Sequence, residues 1–151
     1  MTSLLKFLLA SHVVWGLLGV AAFYAVWMGL LRETSPVKFL KASAIWGVVF
    51  LVLSWATGGY YYATYYGAAV RSVIRAGQYS WAHNVFMEAK EHIFLFLPFL
   101  GIVLAVTLVA LGERIDQKSV LKKELAILAG VLSVLGIFIT LAGAVISGAV
   151  R

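Results

Sequence analysis

Four uninterrupted apolar blocks dominate the chain, and each reaches the roughly 20 residues that a helix needs to cross a hydrocarbon core about 30 Å thick. They occupy about residues 4–31, 39–63, 81–111 and 125–150. Within them the apolar residues do not recur in the steps of an amphipathic helix; they run on, so no face is reserved for water. With 63% of its 151 residues hydrophobic and 12% charged, the chain carries more apolar surface than a soluble domain can hide. Lipid is therefore the solvent. The sequence predicts an all-α integral membrane protein, a single transmembrane domain over residues 1–151 built as a four-helix up-down bundle, with a short interfacial helix between the second and third spans.

The connections agree with that frame. Arg32, Glu33, Thr34, Ser35 and Pro36 make a tight polar break after the first span, and Pro98 falls inside the third, where it is expected to kink the helix. The net charge of +6 comes from twelve Lys and Arg scattered over the termini and three connections. They form no basic patch interleaved with aromatics, which argues against nucleic acid as a partner. Cysteine is absent, which excludes disulfides and thiolate metal sites. The start of the chain, with Lys6, resembles a signal peptide, but the apolar run continues through Trp15 and Trp27 to Leu31 without a small-residue cleavage site, so the first span is expected to be retained.

Basic residues stay in the cytoplasm. Arg32, Lys38, Lys41, Arg114, Lys118, Lys122 and Lys123 fall on the side of the first and third connections, against Lys6, Arg71, Arg75, Lys90 and Arg151 on the other. That asymmetry favours both termini outside, with a prokaryotic inner membrane as the expected location. In the second connection Ala69, Val70, Val73 and Ile74 share one side of a helical wheel and Arg71 and Arg75 another, the pattern of a helix lying in the interface. Tyr60, Tyr61, Tyr62, Tyr65 and Tyr66 precede it, a density of phenols suited to headgroup depth.

Counting which helix ends meet gives a candidate site. In an up-down bundle the start of the first span, the end of the second, the start of the third and the end of the fourth share a leaflet. His12 and His92 then lie at about 12 and 16 Å depth on that side, at 1.5 Å per residue, with Glu88, Glu91 and the tyrosines around them. Intramembrane ionisable residues are costly and mark function. At 100° per residue Trp81, Val85, Glu88, His92, Leu95, Phe99 and Val103 form one stripe. His83 falls near the opposite face with Lys90, in a stripe with Met87, Leu97 and Gly101, and reads as a solvated interfacial residue. His12 shares a stripe with Gly16 and Gly19, which permit close approach of a helix or a flat ligand.

These placements predict a small cytochrome-like protein that binds one b-type haem between the first and third helices for electron transfer. His12 and His92 are the expected ligands, Glu88 supports them, Gly16 and Gly19 clear the ring, and Arg71 or Arg75 meet the propionates. A divalent metal held by His12, His92, Glu88 and Glu91 is the alternative cofactor. A non-catalytic anchor or assembly subunit that binds a partner membrane protein, or a further copy of itself, is the other alternative. The chain holds no nucleophile with a nearby base, no phosphate-binding loop and no dinucleotide fingerprint.

Overall fold

The computed structural model describes residues 1–150 and contains helices and short connections, with no strand among the described residues. Arg151, counted above with the outer basic residues, lies outside them. Four helical runs are long and apolar enough to cross a membrane: Ser3–Leu30, Val37–Ala76, Ala82–Gln117 and Ser119–Gly148.

Helix α1, Ser3–Leu30, starts where the Thr2 hydroxyl accepts the Leu5 N–H at 3.4 Å, which satisfies one of the free donors of a first turn. Pro36 sets the start of α2, Val37–Tyr61. Beyond Tyr61 the chain does not break. Nine residues of π-helix, Tyr62–Val70, carry it into a short α3, Arg71–Ala76, so the segment expected as a separate interfacial helix continues the second span. A turn at residues 77–79 leads to a second π-helical segment, Ala82–Met87, then to α4, Glu88–Leu111, with Pro98 buried inside it. Gly112 stops α4 in the left-handed region, at φ 56°, a conformation glycine adopts without steric cost. A 3-10 turn, Gly112–Gln117, and then α5, Ser119–Gly148, complete the chain.

Helix α1 packs on α2 and α5, and α4 packs on the same two helices, so α1 and α4 sit on a diagonal. Along α1 and α2 residue numbers rise on one helix as they fall on the other: Gly16 meets Ser54, Gly19 meets Leu51, and Gly29 meets Leu40. Phe23 fills the centre, its ring against both Gly47 of α2 and Gly101 of α4. Leu40, Leu97, Leu104, Leu108 and Leu132 close the core around it. Lipid tails are as apolar as these side chains, so close packing rather than escape from water holds the helices together. On α4 the outward face is equally apolar, with Leu95 50% and Phe99 64% exposed. A second, smaller cluster of Tyr66, Val70, Ile74, Ala82 and Ile146 sits where the two π-helical segments meet α5.

Candidate functional site

The start of α1, the end of α2 with its π-helical extension, the start of α4 and the end of α5 enclose a cavity of about 580 Å³. That volume lies within the range of small-molecule and cofactor sites. Its walls are mostly apolar or aromatic, and its polar groups include His12, Ser54, Lys90, Glu91 and the phenols of Tyr61, Tyr62, Tyr65 and Tyr66.

His12 is held in one orientation. Its Nδ1 lies 2.8 Å from the Ser54 carbonyl oxygen and 2.9 Å from Ser54 Oγ, while Ser54 Oγ donates to the His12 carbonyl at 3.0 Å. The Ser54 hydrogen is thereby used, and a carbonyl only accepts, so Nδ1 must carry the proton. Nε2 is left as a bare lone pair with no hydrogen bond in the described chain. The imidazole lies over Gly58 so closely that a methyl there would overlap Nδ1 and Cε1, and the Phe94 ring meets it edge-on at 6.4 Å. Glycine at position 58 is what lets the ring lie against α2.

Lys90 enters the same cavity from α4. It is half-buried, its ammonium reaches across to Gly143 of α5, and it forms no ion pair among the described residues. A partly desolvated ammonium without a partner favours an anionic group beside it. Glu91 lines the wall next to the Tyr62 phenol.

The other expected site residues lie elsewhere. His92 is exposed, and its Nδ1 donates to the Glu88 carbonyl of its own helix at 2.6 Å. It shares the outward face with Leu95 and Phe99, and the structure does not bring it to His12. Glu88 is 48% exposed and lies outside the cavity wall. Gly16 and Gly19 are covered by Ser54 and Leu51 of α2, so their clearance is filled by a helix. Arg71 and Arg75 belong to α3 and do not line the cavity. No three His, Asp or Glu side chains among the described residues gather as metal ligands, so the set His12, His92, Glu88 and Glu91 is not assembled.

His83 corrects the sequence reading in the opposite sense. Expected in solvent, it is 1% exposed, with Nδ1 2.9 Å from the Tyr66 hydroxyl and Nε2 without a partner. The cause is the π-helical segment on which it lies. Each wide turn holds an extra residue, so positions five apart stack, and His83 Nε2 comes 3.9 Å from the Glu88 carboxylate. A wheel drawn at 100° per residue places these two on opposite sides. π-helix makes up well under 1% of residues in globular proteins and is frequent at functional sites; here two such segments meet at Tyr66 and His83 beside this cavity. Lys90, Met87 and His83 could have been found from the stripe they share with Gly101. Ser54 and Gly58 gave no signal in the sequence.

The chain matches no known protein family, no curated protein and no solved structure.

Proposed function

We propose that this protein is a four-span up-down bundle of a prokaryotic inner membrane, its termini outside, that holds one flat, largely apolar cofactor in the outer cavity for electron transfer. Haem b is the leading candidate. The observation that carries this reading is His12: its ring lines the cavity, its Nδ1–H is fixed on the Ser54 carbonyl, and its Nε2 has no hydrogen-bond partner in the described chain. Iron-ligating histidines are oriented in this way, because a backbone acceptor on one ring nitrogen fixes the tautomer and raises the basicity of the other.

The donor set fits the group. His12 would hold the iron, the Lys90 ammonium would meet a propionate, and Phe94, Met87, Trp55 and the tyrosines would exclude water from the ring faces. When bound, haem b would supply a one-electron couple whose potential depends on the axial ligand and on burial. This chain's part is to orient the imidazole through Ser54, to give it room over Gly58, and to offset negative charge with Lys90. The pairing of His12 with His92 is not part of the proposal, since His92 faces away. The segment from Ala69 to Ala76, with Arg71 and Arg75 on one side, would lie at the headgroups above the cavity.

The unpaired Lys90 supports a second reading, in which the cavity takes the anionic head of a membrane-dissolved amphiphile. One experiment separates the two. The full chain, purified in detergent, is examined by absorption spectroscopy as isolated and during titration with haemin. A Soret band that is lost in His12→Ala and kept in His92→Ala is expected. No Soret band under either condition removes haem and leaves the amphiphile, which mass spectrometry of co-purified lipid from native and Lys90→Ala protein then addresses.

A further inference from the structure

His83 has no role in holding a cavity ligand, yet it is the most buried ionisable group at this end of the molecule. It is 1% exposed, and its Nε2 has no hydrogen-bond partner. Its hydrogen bonds can be assigned. Glu88, as a carboxylate, only accepts, so the 3.9 Å separation of its Oε1 from Nε2, too long for a hydrogen bond, is electrostatically favourable when Nε2 carries the proton. Nδ1 is then the acceptor, and the Tyr66 hydroxyl donates to it at 2.9 Å. Tyr66 belongs to the cavity wall, whereas Glu88 stands on the outside of the bundle, 48% exposed. Arg71 and Arg75 of α3 and Glu91 are the remaining charged groups around the imidazole. The part of α5 packed on this segment contributes no ionisable side chain.

We propose that Tyr66, His83 and Glu88 form a proton relay between the cavity and the outer surface of the bundle. Its use rests on the reading that the cavity holds a ligand, with a protonated carboxyl of that ligand as the donor. The donor gives a proton to the Tyr66 oxygen, Tyr66 passes its own proton to Nδ1, and the Nε2 proton moves to the Glu88 carboxylate and on to water. Counting the last transfer to water, four bonds to hydrogen form and four break, no electron moves, and one proton crosses. A proton passing the other way, from Glu88 to Nε2 and from Nδ1 back to Tyr66, restores the Nε2–H form. The remaining gap is closed by the Glu88 side chain, which is exposed and free to turn. Two segments of wide helical turns create this alignment: only a stacking of positions five apart sets Glu88 over His83.

The test needs no cofactor, so its failure and a failure of the haem reading are distinguishable. The full chain is labelled with ¹⁵N-histidine, placed in lipid nanodiscs, and followed by NMR after transfer to D₂O. The imidazole of His83 is expected as the Nε2–H tautomer, exchanging readily despite its burial. Glu88→Gln, a change at an exposed position, is expected to slow that exchange about tenfold or more, Glu88→Asp to restore part of it, and Tyr66→Phe added to Glu88→Gln to slow it further by closing the cavity side. An Nδ1–H tautomer, or an exchange rate that Glu88→Gln leaves unchanged, overturns the relay.

Discussion

The two ends of the bundle treat their polar groups in opposite ways. At the end away from the cavity, Asp116 accepts from the Ser35 N–H at 3.0 Å, the Ser35 hydroxyl at 2.8 Å and the Lys122 ammonium at 2.7 Å. Lys122 also donates to the carbonyl oxygens of Arg32 and Glu33 at 2.6 and 3.0 Å. The first and third connections are thereby tied together, and the hydrogen-bonding capacity of Asp116 and Lys122 is largely used within the protein. At the cavity end His12 Nε2 and Lys90 have no hydrogen-bond or ion-pair partner in the described chain, His83 Nε2 has no hydrogen bond and only the Glu88 carboxylate 3.9 Å away, and the helices widen into π turns. Polar groups that satisfy one another stabilise a fold; polar groups held in place but left unsatisfied are available to something else. On the proposed reading the closed end is structural and the open end holds the ligand.

The comparison breaks most sharply at Gly58. Alanine there would place a methyl against the His12 ring, whereas nothing lies within 4 Å of a methyl added to Gly59. Gly58→Ala is therefore expected to weaken haemin binding about 10- to 100-fold, the cost typical of disturbing the support of a metal-ligating histidine, and Gly59→Ala to leave it unchanged. Titration of both variants followed at the Soret band checks this. Equal affinities would mean that His12 does not need its seat over α2.

Asp116→Ala tests the other end. It removes the acceptor that joins Ser35 to Lys122 and leaves those donors to water, so the thermal unfolding midpoint, followed by tryptophan fluorescence in detergent, should fall by a few degrees. The cavity lies at the opposite end of the helices, and sites that share no partners are additive, so ligand affinity should stay within error of the native value. A loss of affinity in this variant would show that the two ends are coupled.

Much of this contrast was legible in the sequence. The four apolar runs follow from block length alone, and the gathering of His12, Glu91 and the tyrosines at one cavity follows from counting which helix termini meet. The face of α4 that turns inward did not follow. The stripe with His92, Leu95 and Phe99 and the stripe with His83, Met87, Lys90, Leu97 and Gly101 are both apolar enough for lipid or for protein, and hydropathy does not separate two solvents of equal polarity. The structure turns the second stripe inward, where Leu97 and Gly101 pack in the core. The π-helical turns were hidden for a different reason: a wheel drawn at 100° per residue assumes α-helical turns, and the Tyr66–His83 contact that accompanies the wide turns is tertiary, with no local pattern. The support of His12 by Ser54, 42 positions away, is hidden in the same way.

The smallest expected effect is a pH dependence confined to the closed end. Asp116 lies in the polar 3-10 turn at the end of the Ala82–Gln117 run, beyond the apolar block that ends with α4 at Leu111. The hydrogen bond from Lys122, with those from the Ser35 N–H and hydroxyl, lowers its carboxyl from 3.8 to about 2. A carboxyl whose folded value lies below its unfolded one binds protons more readily when unfolded. Its contribution is therefore complete above the unfolded value and is lost as pH falls towards the folded one. The window is then from about pH 4 down to about pH 2. Other carboxylates titrate nearby, so the quantity to follow is the difference in unfolding midpoint between native protein and Asp116→Asn. That difference should be constant from pH 7 to pH 5 and shrink steadily below pH 4. High salt should reduce it, because the carboxylate and ammonium remain accessible to water. A difference that does not change with acid would show that Lys122 is held by the Arg32 and Glu33 carbonyls alone, and that the tie between the two connections is made by the backbone.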